Sequence, residues 1–173
     1  MSQLIRAAQF AAYVHHGQTR KYGHSDRPYM THVIRVAGKT MTVPYCTSTM
    51  GCAAWLHDTV EDGKDPDEIK SLILIFFGED VLDMVLELTN PSKDFPNMPR
   101  ANRKEMDRNH IAFISKGAKT IKLIDRIDNV REMLDDPETP ESFVKLYVPE
   151  SRLLLDVLRG TNAELEDELE SLL

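Results

Sequence analysis

The sequence predicts an all-α fold, and three observations carry that prediction. Apolar residues recur at helical spacing along nearly the whole chain. No stretch alternates apolar and polar residues as a half-buried strand does. Gly17, Pro44, Gly63, Gly78 and Gly117 punctuate the periodic runs, and there is no sequence repeat or low-complexity tract.

Taken in order, residues 2–16 read as an amphipathic helix, with Ser2 as N-cap, Leu4, Ile5, Ala8, Ala11 and Ala12 on one face, and Gly17 as its end. A polar loop, 18–27, holds Arg20, Lys21 and Arg27, and Pro28 closes it. The second helix covers 29–41 and carries His32; after Pro44 a third covers 46–61. Asp65 and Pro66 form a helix start, cap followed by first-turn proline, for a buried Leu/Ile-rich helix ending at Phe77 before Gly78. Val81, Met84, Val85 and Leu88 mark the fifth helix. Segment 90–99, with three prolines, is a loop.

The sixth helix, 100–115, has a basic face of Arg100, Arg103, Lys104 and Arg108, which is as readily a solvated face as a binding one. Gly117 separates it from a helix over 118–134. There Lys122, Asp125 and Asn129 share one stripe, opposite Leu123, Ile127 and Val130. Helices over 137–148 and 150–159 follow. Thr161 and Glu164 form a capping box for a last acidic helix, which could dock through Leu165, Leu169 and Leu172.

A chain of 173 residues is one domain with at most a small appendage, here a body over 1–159 and an acidic helix over 160–173. Hydrophobic content of 42% and charged content of 28% are ordinary for a globular protein. No apolar run reaches the ~20 residues of a membrane span. Residues 1–16 lack the pattern of a signal peptide. Cys46 and Cys52 fit no metal or redox motif and read as reduced thiols, which points to the cytoplasm. The net charge of −7 argues against general nucleic-acid binding, although much of it sits in 160–173, which has no Lys or Arg.

The chemistry concentrates in Trp55-Leu56-His57-Asp58-Thr59-Val60-Glu61-Asp62. On a continuous helix His57, Asp58, Glu61 and Asp62 fall within an arc of about 140°. Like charges at that spacing cost stability unless a cation or a shared proton intervenes. An arbitrary acidic run is more often a solvated helix end, here running into Gly63. An adjacent His-Asp pair, however, offers a nitrogen and an oxygen to a divalent metal. Glu61 and Asp62, one turn on, are then spaced to move the protons of a water molecule. Asp125, a carboxylate mid-helix among apolar neighbours, would complete a metal set with His32, His57 and Asp58. Taken alone, it is more often a partnered surface charge.

Four segments in this order and spacing resemble the hydrolase domain of RelA/SpoT-type proteins, a branch of the HD phosphohydrolase superfamily. They are His15-His16-Gly17-Gln18-Thr19-Arg20-Lys21; Pro28-Tyr29-Met30-Thr31-His32; His57-Asp58-Thr59-Val60-Glu61-Asp62; and Lys122-Leu123-Ile124-Asp125-Arg126 with Asn129. Among them the chain is most similar to the small stand-alone alarmone hydrolases, over about residues 3–150.

The resemblance implies a compact multi-helix HD-domain fold and one Mn²⁺ per chain, held by His32, His57, Asp58 and Asp125. It implies that Glu61 and Asp62 handle the catalytic water and that Arg20 and Lys21 meet the substrate's phosphates. It places Asn129, Lys122, Arg103 and Tyr147 near the nucleotide. The implied reaction removes the 3′-diphosphate of ppGpp or pppGpp as pyrophosphate. Larger family members continue into a synthetase domain where this chain ends, so hydrolysis alone is expected.

The chain departs from the family pattern at Val33, where a proline is usual, in a longer loop 21–28, and at Ile124 and Arg126-Ile127-Asp128. None of these removes a ligand. Two other readings stay open: a related phosphohydrolase acting on a nucleoside mono- or triphosphate or on NADPH, and a catalytically dead nucleotide sensor. The 160–173 segment lies outside the resemblance and is expected only to pack on the body or to support a homo-oligomer.

Overall fold

The computed structural model describes residues 2–20 and 26–173. Its helices are α1 (Gln3–Val14), α2 (Met30–Met41), α3 (Ser48–Leu56), α4 (Thr59–Asp62), α5 (Pro66–Phe77), α6 (Glu79–Leu88), α7 (Arg100–Ile111), α8 (Lys116–Asp135), α9 (Glu141–Leu158) and α10 (Ala163–Leu172). A 3₁₀ turn, Pro91–Asp94, lies between α6 and α7. Among the described residues there is no strand, only an isolated antiparallel bridge between Thr19 and Pro28. No helix among them is long and apolar enough to cross a membrane.

Two helices organise the interior. α3 is apolar all round, with Met50, Cys52, Ala53, Ala54 and Leu56 buried, as expected of a helix covered on every side. It packs against α1, α2, α6 and α8. Its small residues let α1 come close: a Cβ on Gly51 would stand 2.6 Å from Leu4 Cδ2. α8 is the second internal helix, packed between α2, α6, α9 and α10, with Ile121, Leu123, Ile124, Ile127 and Val130 buried. The C-terminal end of α3 and the middle of α8 therefore meet inside the molecule, beside α2.

Most helix ends follow from local chemistry. Ser2, Thr47, Asp65 and Ser115 each accept a backbone N–H of the first turn. Gly78, at φ +87°, ends α5 and begins α6 in a conformation that other residues avoid. The two ends of the 18–27 loop are tied together, with Arg20 N–H donating to Arg27 O at 3.0 Å and Tyr29 N–H to Gln18 O at 2.9 Å.

Six expectations need correction. The Leu/Ile-rich α5 is buried on one face only: Ile69, Ile73 and Phe77 are covered, whereas Leu74, Ile75 and Phe76 are exposed. The helix over 46–61 is split: α3 stops at Leu56 and α4 restarts at Thr59. At the break the side chains of His57 and Thr59 bond the carbonyls of Ala54 (2.9 Å) and Leu56 (2.7 Å), competing with the backbone ladder. Gly117 lies within the first turn of α8, because Ser115 caps that helix and a Cβ at 117 would press on Met84 and Met50. α7 accordingly ends at Ile111 rather than 115.

α9 runs unbroken through Pro149. Pro149 and Lys145 lie on the exposed side, where the carbonyl left without a donor can meet solvent. Finally, α10 is capped by Asn162, which accepts from Leu165 N–H, while Glu166 accepts from the N–H groups of Thr161 and Asn162 at 2.8 Å each. The cap thus sits one residue beyond Thr161. α10 docks through Leu165 and Leu169, both buried against α8 and α9.

Candidate active site

α2, the α3–α4 break and α8 bring His32, His57, Asp58 and Asp125 together. His32 Nε2 lies 3.3 Å from His57 Nε2 and 3.3 Å from Asp125 Oδ1. Asp58 Oδ2 lies 2.9 Å from His57 Nε2 and 3.6 Å from His32 Nε2. Both imidazoles are almost fully buried. His32, His57 and Asp125 by themselves form a group able to hold a divalent metal. The Asp58 oxygen joins them while also accepting the Tyr29 hydroxyl at 2.6 Å.

The second nitrogen of each ring decides what the first can do. His57 Nδ1 is 2.9 Å from Ala54 O, a carbonyl that can only accept, so Nδ1 carries the proton. His32 Nδ1 is 2.6 Å from Asp128 Oδ2 and donates to it. In the neutral rings both Nε2 atoms are therefore acceptors, and they face two carboxylate oxygens. Four acceptors within a few ångströms of one another need protons or a cation between them. Imidazoles oriented through Nδ1 in this way suit a metal, so the residues present fit the ion that the resemblance implies.

The acid–base shifts reflect the same crowding. Burial disfavours the imidazolium of His32, but Asp125, Asp128 and Asp58 outweigh it and hold the pKa up at about 10. His57 is also raised, burial being overcome by Asp58. Burial pushes Asp125 up, yet Lys122 and His32 hold it far below the usual carboxylate range. Asp58 is likewise depressed: burial is overcome by His57 and His32. Lys122 resists burial because Asp125 is beside it, Nζ to Oδ2 at 3.3 Å, and is pushed up to about 12. A bound cation would take the place of the shared protons.

Glu61 and Asp62 line the same cavity as Asp58 and Asp125. Glu61 accepts the Asn90 N–H at 2.5 Å, and Lys93 Nζ approaches Glu61 Oε2 at 3.4 Å and Asp62 Oδ1 at 3.2 Å. Burial pushes the Glu61 carboxyl up, partly offset by Lys122. Such a group sits nearer to neutrality than an exposed glutamate and is suited to proton transfer.

The cavity, of about 300 Å³, continues outward over basic and aromatic side chains. Arg20 is held by Glu132 (Nε to Oε2, 2.7 Å) and Asn129 (2.6 Å), and Asn129 in turn donates to Asp125 at 2.5 Å. Tyr147 stacks on Phe143 at 5.2 Å, with the Arg126 guanidinium 4.5 Å above its ring. Among the described residues six cations line the space, Arg20, Lys93, Arg100, Lys104, Lys122 and Arg126, against four carboxylates. With a divalent ion added, the balance favours a polyanionic ligand.

Of the site residues expected from sequence, the structure gathers Arg20, Asn129, Lys122 and Tyr147 around this cavity with the metal-type cluster. Lys21 lies outside the described residues. Arg103 is not brought in: Arg100 and Lys104 of the same helix line the cavity instead. Sequence reasoning missed Tyr29, Lys93, Arg126 and Phe143 as cavity residues. Tyr29 stood within a quoted segment, and Arg126 beside Asp125, but their partners are far away in sequence. Lys93 was hidden in a segment legible only as a proline-rich loop.

The HD domain family model matches residues 7–147. The guanosine-3′,5′-bis(diphosphate) 3′-pyrophosphohydrolase MESH1 of Drosophila melanogaster is 33% identical over 178 residues, spanning 99% of this chain and 93% of its own. The protein of that name from Homo sapiens is 34% identical over 176 residues, with the same coverage, 99% and 93%. A solved structure with TM-score 0.84 and 31% identity covers 99% of this chain and 94% of its own. It is described as a metazoan ortholog of SpoT that hydrolyzes ppGpp and plays a role in starvation responses. The matched segment contains the His/His/Asp cluster and the similarity runs the full length, so the chain belongs to the HD domain family, in the RelA/SpoT-type branch that the MESH1 proteins represent.

Proposed function

We propose that this chain is a metal-dependent hydrolase that removes the 3′-diphosphate of ppGpp and pppGpp, giving GDP or GTP and pyrophosphate. The observation that carries the reading is the union of two features in one cavity: the cluster of two Nε2 atoms with Asp58 and Asp125, and the cationic wall beyond it. The relatives named above support the substrate, and the tight clustering of donors supports the metal.

His32, His57, Asp58 and Asp125 would hold one ion, for which the family resemblance favours Mn²⁺. When bound, a divalent cation supplies positive charge that polarises a phosphoryl oxygen and acidifies water. The rest is done by side chains. Arg20, with Lys21 and Lys122, neutralises the phosphates and the charge that grows in the transition state. Tyr147, backed by Phe143 and Arg126, offers a flat face for the nucleoside. Glu61 and Asp62 take a proton from the attacking water and return it to the ribose O3′ as the P–O3′ bond breaks. The water oxygen leaves with pyrophosphate. A small anionic substrate and free Cys46 and Cys52 suit a cytoplasmic protein.

The test is a short incubation of ppGpp with the Mn²⁺-loaded protein, with pyrophosphate and orthophosphate assayed separately. GDP and pyrophosphate in equal amounts are expected. Orthophosphate as first product, or inert ppGpp beside rapid turnover of nucleoside triphosphates or NADPH, would move the chain to another nucleotide phosphohydrolase.

A further inference from the structure

Asp128 and Glu132 stand one turn apart on α8, where two like charges repel. Arg35, from α2, lies between them. Its Nε reaches Asp128 Oδ1 at 2.5 Å and one terminal nitrogen reaches Asp128 Oδ2 at 3.0 Å. The same nitrogen is 3.2 Å from Glu132 Oε1. The fork on Asp128 is the two-pronged arrangement that makes guanidinium–carboxylate pairs strong and directional.

Each carboxylate has a second partner, and both partners belong to the candidate site. Asp128 Oδ2 accepts from His32 Nδ1 at 2.6 Å. Glu132 Oε2 accepts from Arg20 Nε at 2.7 Å. An unbroken chain of charged contacts therefore runs His32–Asp128–Arg35–Glu132–Arg20. One end orients a ring of the metal-type cluster. The other sets the guanidinium that faces the phosphates. His32 and Arg35 are three residues apart on α2, and Asp128 and Glu132 four apart on α8, so the chain also locks the register of the two helices.

We infer that Arg35 is a positioning residue that couples metal binding at His32 to phosphate binding at Arg20, acting through Asp128 and Glu132; the inference rests on the function proposed above. Without Arg35, Asp128 loses the fork that aims it at His32. Glu132, freed of its second cation, closes on Arg20 and competes with the substrate's phosphates. A lysine at this position could supply one contact in place of the planar fork.

The experiment measures two quantities on wild type, Arg35→Ala, Arg35→Lys, Asp128→Asn and Glu132→Gln. The first is Mn²⁺ affinity without nucleotide, read from free Mn²⁺ by electron paramagnetic resonance. The second is KM for ppGpp at saturating Mn²⁺. Asp128→Asn should weaken Mn²⁺ by about 10–100-fold with little change in KM. Glu132→Gln should change KM and leave Mn²⁺ affinity alone. Arg35→Ala should move both, Mn²⁺ affinity by about tenfold or more and KM by about tenfold. Arg35→Lys should fall between.

If Arg35→Ala does not fold, Arg35→Lys carries the same two readouts. Arg35 variants that lose only thermal stability, with Mn²⁺ affinity and KM as in wild type, would overturn the inference while the wild type still cleaves ppGpp. A wild type that neither binds Mn²⁺ nor cleaves ppGpp would overturn the functional reading and this inference with it.

Discussion

Lys93 Nζ stands 3.4 Å from Glu61 Oε2, so a half-exposed cation leans on a carboxyl whose pKa burial has raised. A general base works only when ionised. With its pKa raised, Glu61 loses that form at a higher pH than an exposed glutamate, whose pKa is about 4.3. The acidic limb of kcat/KM for ppGpp should therefore lie above the ordinary glutamate range. Lys93 lowers the Glu61 pKa, so Lys93→Ala should move that limb to still higher pH. A pH–rate profile of both proteins checks the direction, and superimposed acidic limbs would refute it.

Chelation should act on stability as well as on turnover. The cluster joins α2, the α3–α4 break and α8, so an ion there ties together three parts of the fold. At a metal concentration about 100 times its Kd, binding to the native state alone adds ~2.7 kcal/mol. For a chain of this size that is about 5–10 °C in Tm. Differential scanning fluorimetry with and without Mn²⁺ should show this shift, and hydrolysis should vanish with chelator and return with Mn²⁺.

Binding and chemistry should separate by mutation. Glu61→Gln and Asp62→Asn keep shape and lose the proton acceptors, so kcat should fall by about 10²–10⁴ while Mn²⁺ affinity holds. Arg20→Ala removes a charged contact and should raise KM by about tenfold. Steady-state kinetics with parallel metal titration distinguishes the two outcomes. Normal turnover by both carboxylate variants would remove Glu61 and Asp62 from the proton-transfer step.

Gly63 directly follows the Glu61-Asp62 pair, and a Cβ there would stand 2.6 Å from Thr59 O and 2.0 Å from Ile69 Cδ1. The carbonyl belongs to the backbone of α4 and cannot swing aside. Gly63→Ala should cost about 1–3 kcal/mol and displace the α4 carboxylates. Both Tm and kcat should drop. A variant with wild-type Tm would show that α4 and α5 can part without cost.

What the sequence disclosed follows the range over which each signal acts. Helix periodicity, the Asp65-Pro66 start and the Gly78 stop are local, and they appear in the structure where expected. The His57-Asp58 pair is adjacent in sequence, so its chemistry could be weighed from residue types alone. The split after Leu56 could not, because it depends on side chains turning back on carbonyls, and uniform apolarity through 53–56 masks it. In the sequence Asp128 stands out only as a departure from the family pattern, and nothing local marks Glu132. Their roles depend on partners 96 and 112 residues away along the chain. The stripe of Lys122, Asp125 and Asn129 was legible as a stripe, but only the fold shows that all three face the cavity. The basic helix was legible as basic, and its register decided that Arg100 and Lys104, rather than Arg103, reach the same space.

The bridge between Thr19 and Pro28 closes the base of the segment that follows Arg20. Arg20 and Tyr29 both stand at that closed base, each with its backbone N–H bonded across it. Arg20 and Tyr29 are therefore held beside the reacting groups by backbone hydrogen bonds of their own. Because that anchoring uses main-chain groups, side-chain substitutions at Thr19 or Arg27 leave it in place, which makes the clasp a fixed hinge-post on which the chemistry around it can be varied.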